Sequence, residues 1–238
     1  LVISVRSSLV RRMLVRPPDL LVALQFGSPA LPIGGFAYSQ GLEWAIENRI
    51  VSDLATVRAW ILDSFQLNFA RQELIFWSLV YQAVENRNPG KVGKLNERIY
   101  ALKETAELRQ ESTQMGESLA KLHSIWDPSR WLGGLTLSRP WTYTAAHSAL
   151  CAVVSLPVTA GMLVFAWSWL ENQVLTAVKH LPLGQTQAQA LLQDMHLQLV
   201  NATEAAQART ARNFGSATTG FAIASSQHET QYSRIFRS

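Results

Sequence analysis

The 238-residue sequence predicts an all-α fold. The architecture expected is a single-domain helical bundle of about eight to ten helices, with a flexible N-terminal extension and a flexible C-terminal tail. Three observations predict it. Apolar residues recur every three or four positions along most of the chain, which lays a stripe on one face of a helix. No stretch shows the strict apolar–polar alternation of a half-buried strand, and neither an internal repeat nor a domain linker appears. Apolar residues make up 48% of the chain and charged residues 16%, against about 25% charged in an average domain, so much of the chain seeks burial.

Residues 1–18 form the extension, predicted to be disordered or an over-extended start with Met13 as the true first residue. Its Arg6, Arg11, Arg12 and Arg16, with serines and no acids, also suit an organelle transit peptide. The helical domain covers 19–213. A short apolar helix runs from Asp19 to Phe26, and Gly27 to Gly35 is loop because Pro29, Pro32, Gly34 and Gly35 punctuate it. A helix restarts near Tyr38 and runs to Asn48. Ser52 or Asp53 caps the next, which carries Leu54, Val57, Ile61, Phe65 and Phe69. After a break near Arg71 the spacing continues through Leu74, Trp77, Tyr81 and Val84, and Asn86 to Gly90 turns the chain. Leu95, Ile99, Leu102 and Ala106 make the next stripe, followed by Leu108, Met115, Leu119, Leu122 and Trp126 in a slipped phase that predicts a kink. Asp127 to Pro140 reads as loop. Helices cover Tyr143–Val154 and Val158–His180, with Pro157 suited to the first turn of the second. After a break at 181–184, one long helix carries Leu192, Met195, Leu199, Ala202 and Ala206. The Gly-, Ser-, Thr- and Ala-rich stretch 214–226 is expected to be a flexible lead into a tail, so that 214–238 is linker and partner-binding tail.

Composition narrows the function. The net charge is +4, but without the first sixteen residues the balance is near neutral and no basic stripe remains for nucleic acid. Cys151 is the one cysteine, in an apolar run, which fits a buried residue in a reducing, cytoplasmic setting. No charge occurs from Ala149 to Leu170, long enough to cross a bilayer, yet Pro157 and Gly161 interrupt it; two abutting core helices are preferred to a membrane-associated protein. Gly34, Gly35 and Gly41 match neither phosphate-binding glycine pattern. The histidines pair at no ligand spacing, and His228-Glu229 fails as a zinc protease motif because position 232 is Tyr. No nucleophile elbow is present. The chain is therefore read as no enzyme, without a catalytic, cofactor or metal site; an enzyme of unrecognised type is the other alternative.

Three features exceed what packing alone asks for. The segment Ser28–Glu43 is dense in residues that fix or free the backbone, and freedom is placed at Gly35. Arg109, Ser112 and Gly116 share a helix face beside Met115 and Leu119; a mid-helix Gly costs about 1 kcal/mol against Ala, which points to close approach of another backbone. The end of the chain combines two Arg with Tyr232, Ile235 and Phe236, residues suited to anchoring in a partner's groove.

Together these segments resemble the UreF family of urease accessory proteins. The resemblance rests on Pro32, Gly34, Gly35, Phe36, Tyr38, Ser39, Gly41 and Glu43 in the first motif. It continues through Arg109, Glu111, Ser112, Gln114, Met115 and Gly116, then Pro182, Gly184, Gln185 and Gln189. It closes on His228, Glu229, Gln231, Tyr232, Arg234, Ile235, Phe236, Arg237 and Ser238. Ala188 stands where the family pattern has Gly, and residues 1–16 have no counterpart. The resemblance implies an all-α homodimer that joins urease accessory protein D (H in some organisms) and the GTPase UreG on apo-urease. It implies that the tail binds the D/H protein and that the other motifs are partner-binding or structural. It implies nickel delivery to a carbamylated-lysine active site, with nickel and GTP handled by the partners and no cofactor bound directly. Nucleic acid and membrane are not among the implied partners.

Overall fold

The computed structural model describes residues 16–127, 131, 132, 134, 135, 137–209 and 218–238, and among these the regular structure is helical. Helix α1 spans Pro17–Phe26, where the two prolines occupy the first turn and their missing amides cost nothing. It therefore starts two residues before the predicted Asp19, inside the predicted extension; residues 1–15 lie outside the described residues. A 3-10 turn, Gly35–Ala37, and α2, Leu42–Glu47, replace the single helix expected from Tyr38. Left-handed backbone at Gly34 (φ 72°) and Gly41 (φ 80°) breaks the segment in two. Gly35, where freedom was placed, is not left-handed; an added Cβ there would meet Met115 Cε at 3.2 Å.

Asp53 caps α3, Leu54–Asp63, by accepting from the Thr56 amide at 2.9 Å. A π-helical turn, Ser64–Phe69, follows before α4, Glu73–Glu85. The wider turn supplies the break expected near Arg71. Helices α5, Pro89–Ala101, and α6, Ala106–Ala120, are capped by Asn88 and Thr105. The slip of phase is thus a chain break at 102–105. A short helix α7, His123–Trp126, leads to the 127–140 segment, of which 128–130, 133 and 136 lie outside the described residues.

Helices α8, Tyr143–Val153, and α9, Val158–His180, divide the uncharged stretch at Ser155, which is left-handed, and Pro157, the residue before α9. Among the described residues no helix is long and apolar enough to cross a membrane. The long helix predicted after 184 is two: α10, Gln185–Asp194, and α11, His196–Gln207, parted where the Met195 amide turns back to Leu192.

The core is built around α4. Leu74 to Tyr81 are buried without interruption, because α4 is covered by α5, α8, α9 and α11. Trp77 is fully buried and fits because Gly161 on α9 has no side chain; a Cβ there would lie 2.7 Å from the ring. Its indole donates to His147 Nδ1 at 3.0 Å, and Tyr81 donates to the Leu156 carbonyl at 2.8 Å.

The predicted flexible lead is corrected. Thr219–His228 is helix α12, with Phe221, Ala224, Ser225 and His228 buried against α2 and α6; residues 214–217 lie outside the described residues. Small side chains mark close packing there, because a Cβ on Gly41 would lie 2.8 Å from the Ser225 amide nitrogen. Helix-unfavourable composition is outweighed by tertiary contact.

Candidate functional site

Three of the four sequence motifs meet where α2, α6, α9 and α12 converge. Helix α12 delivers His228 into the centre, fully buried. Its Nδ1 lies 2.8 Å from Glu107 Oε2 on α6 and its Nε2 3.1 Å from Glu43 Oε2 on α2. The buried ring therefore bridges the two carboxyl groups, one at each nitrogen. Arg234 donates to Glu107 Oε1 at 2.6 Å, and the amides of Ile235 and Phe236 donate to Glu43 at 2.6 and 2.9 Å. On α9, His180 Nδ1 donates to the Thr176 carbonyl, leaving Nε2 3.3 Å from Glu43 Oε1, in ion-pair range but off a hydrogen-bond line. Burial opposes the charge on Glu43, yet the two tail amides and the two rings prevail and hold its carboxyl below the usual range.

The tail is strapped down beyond this cluster. The Ser238 main-chain oxygen accepts from the amides of Ser39 and Gln40 and from the Ser39 hydroxyl. The Ser238 hydroxyl donates to Glu111 Oε2 at 3.0 Å, and Gln40 donates to the other Glu111 oxygen at 2.7 Å. Desolvation raises the Glu111 carboxyl to about 7, with Glu73 adding to the rise and Gln40, Lys103 and Ser238 opposing it. The Arg237 amide donates to the Ala37 carbonyl, and Tyr38 donates to Gln114 at 2.6 Å. Phe236 is buried against His180, under Lys179. Glu229 accepts from the first two amides of α6, where the free N–H groups and the helix dipole favour an anion. Gln231 reaches Glu47 at 2.5 Å.

The reading of the tail as detached from the core is therefore overturned. Its backbone amides, Arg234 and Ser238 complete a buried polar network that would otherwise hold unpaired carboxylates, a costly state. Two of the expected anchors still face outward: Tyr232 is wholly exposed and Ile235 is 71% exposed.

The second motif does two jobs. Glu111 and Gln114 enter the junction, while Ser112 and Gly116 seat the start of α8. Ser112 accepts from the Tyr143 amide at 3.3 Å, and a Cβ on Gly116 would lie 2.1 Å from the Trp141 carbonyl oxygen. The predicted close approach at Gly116 is present. Met115 packs beneath Gly35, and Arg109 donates to the Lys103 carbonyl at 2.6 Å. In the first motif Phe36 is 61% exposed and Pro32 is exposed. Pro182, Gly184, Gln185 and Gln189 do not join the junction; they lie exposed at the α9–α10 turn, where Gly184 precedes α10 and its amide donates to Gln187. Sequence reasoning missed Glu107 and His180, and also Asn172 and Gln173, which donate to the carbonyls of Tyr38 and Ser39. Nothing local marks these residues, since each gains its role from a partner far along the chain.

The UreF family pattern matches residues 51–196. Urease accessory protein UreF of Azoarcus sp. strain BH72 is 41% identical over 224 residues, covering 92% of this chain and 95% of that protein. UreF of Bordetella parapertussis is 40% identical over 220 residues, covering 90% and 100%. The bifunctional urease accessory protein UreEF of Bordetella bronchiseptica is 41% identical over 225 residues, covering 92% of this chain and 52% of that protein.

Proposed function

The chain belongs to the UreF family of urease accessory proteins, non-catalytic factors of urease maturation, and from that premise we propose that it is a bridging subunit. It dimerises, joins the accessory D/H protein to the GTPase UreG on apo-urease, and so supports GTP-dependent nickel insertion in the cytoplasm. Nickel and GTP are handled by the partners.

One observation carries this reading. The junction fixes the tail in a single conformation while leaving Tyr232 and Ile235 outside it. A segment ordered before it meets a partner loses less entropy on binding, and exposed aromatic and aliphatic side chains on such a segment suit an anchor. The D/H protein is the partner assigned to this surface. The fused UreEF relative supports placing the chain among accessory proteins that act side by side.

The test is complementation. A urease operon lacking its F component is co-expressed with this chain, and urease activity and enzyme-bound nickel are measured. Restoration of both is expected, and the chain alone should show no urease activity. Failure to restore activity, with soluble protein present, would refute the maturation role in that system. Sedimentation tests the dimer, and a sharp monomer at micromolar concentration counts against it.

A further inference from the structure

Beneath the Ser28–Glu43 segment lies a cavity of about 140 Å³ that shares Gln40 and Glu111 with the junction beside it. Pro29, Phe36, Glu104 and Leu175 rim it and are exposed. Aromatic rings form a continuous inner wall: Phe69 lies 5.0 Å from Trp169 and 5.1 Å from Phe165, and Tyr143 lies 5.3 Å from Phe165. Glu73, Glu104, Glu111 and Glu171 line the space against one ammonium, Lys103, which is paired with Glu73 at 2.5 Å while the other Glu73 oxygen accepts from Thr144. Hydroxyl side chains complete the lining. Ser64, only 6% exposed, and Tyr143 are among them.

We propose that this cavity binds an organic cation, a guanidinium or alkylammonium head. The lining is rich in acceptors, and a guanidinium carries five donors and no acceptor. Aromatic faces attract cations through their quadrupole. A cavity of roughly 150 Å³ holds a benzene-sized guest, and a guanidinium is no larger. The geometry favours an organic head over a metal ion, because among the described residues no three His, Cys, Asp or Glu side chains converge as ligands. The head comes either from a basic side chain of a partner protein or from a free small cation.

Binding is coupled to Glu111, which is buried and raised to about 7. The groups facing it are Gln40 and Ser238, Lys103 ahead of α6, Glu73 on α4, and the phenols of Tyr38 and Tyr143. A cation in the cavity favours the ionised carboxyl, so affinity rises with pH through that range.

Isothermal titration of the full chain tests the proposal with L-argininamide, the peptide acetyl-Gly-Arg-Gly-amide, neutral citrullinamide and nickel chloride. Both arginine probes should bind, with citrullinamide at least about tenfold weaker. Affinity for argininamide should increase several-fold between about pH 6 and about pH 8, and Glu111→Gln should abolish that increase. Glu171→Gln, at a less buried lining position, should weaken argininamide if Glu111→Gln fails to fold. A peptide that binds more tightly than argininamide assigns the head to a partner's side chain, and equal affinities assign it to a free cation. Equal binding of citrullinamide and argininamide, or heat from nickel with none from either arginine probe, overturns the proposal.

Discussion

The α4–α8–α9 core and the junction of the tail with α2 and α6 are both buried, but by different physics. Around Trp77 and Phe165, burial rests mainly on apolar area, which is non-directional, with single hydrogen bonds such as that of Trp77 to His147 added to it. Around His228, burial rests on Glu43, Glu107 and Arg234, each holding a stated partner at a stated distance. Apolar burial survives substitutions that conserve volume, whereas a satisfied polar network fails when one member is removed. The core therefore gives the protein its stability, and the junction gives the tail a single conformation.

The largest break in that comparison is at the core. Trp77→Ala should cost about 3–5 kcal/mol in urea unfolding, since Gly161 leaves nothing to fill the space. In the junction, Glu43→Ala leaves the tail amides and His228 without their acceptor and should cost about 3 kcal/mol. A loss near zero for Glu43→Ala would mean that the junction is wet and loosely held. At Glu111 the effect follows pH. The folded carboxyl sits at about 7 against an ordinary 4.5, so the folded state holds the extra proton between these values. Its contribution is complete below the lower value and lost as pH rises to the upper one. Glu111→Gln should therefore flatten the fall in melting temperature across this window, by the equivalent of about 3 kcal/mol. A parallel fall in both proteins would contradict it. Glu43 works in the opposite sense: its lowered carboxyl stabilises the fold at neutral pH and loses that effect as pH falls through its folded value. The smallest stability change is expected at the exposed anchors. Tyr232→Ala and Ile235→Asp should shift unfolding by no more than about 0.5 kcal/mol yet weaken pull-down of the D/H protein. Undiminished capture by the double variant would move the partner surface elsewhere.

The two regions also differ in how far they could be read from the sequence. The stripes through Trp77, Tyr81 and Val84, and through Val158–His180, are local and periodic, and the helices lie where the spacing puts them. Breaks were harder: Met195 divides a helix whose apolar spacing runs on unbroken. The tail departs from its sequence reading because Gly220, Ser225 and Ser226 have linker composition, while their helix is held by packing on α2 and α6, far away in the chain. Motif residues Glu43, Glu111, His228 and Arg234 stand out in the sequence, but not the partners each takes. Pairings such as Glu107 with His228 carry no periodic signature; directional contacts between distant residues become legible only in the fold.

Separation along the chain has a consequence for the order of folding. Glu43 waits for His228, Ile235 and Phe236, which follow it by 185, 192 and 193 positions. Contacts this remote close slowly, because their loop entropy is lost before any bond is gained. Translation adds about 5–20 residues each second, so Glu43 leaves the synthetic site on the order of 10–40 seconds before its last partners exist. Helices α3 to α9 can assemble in that interval without the tail. A ribosome halted just short of His228 would hold a chain with Glu43 and Glu107 still in water and the groove at Gly41 unfilled.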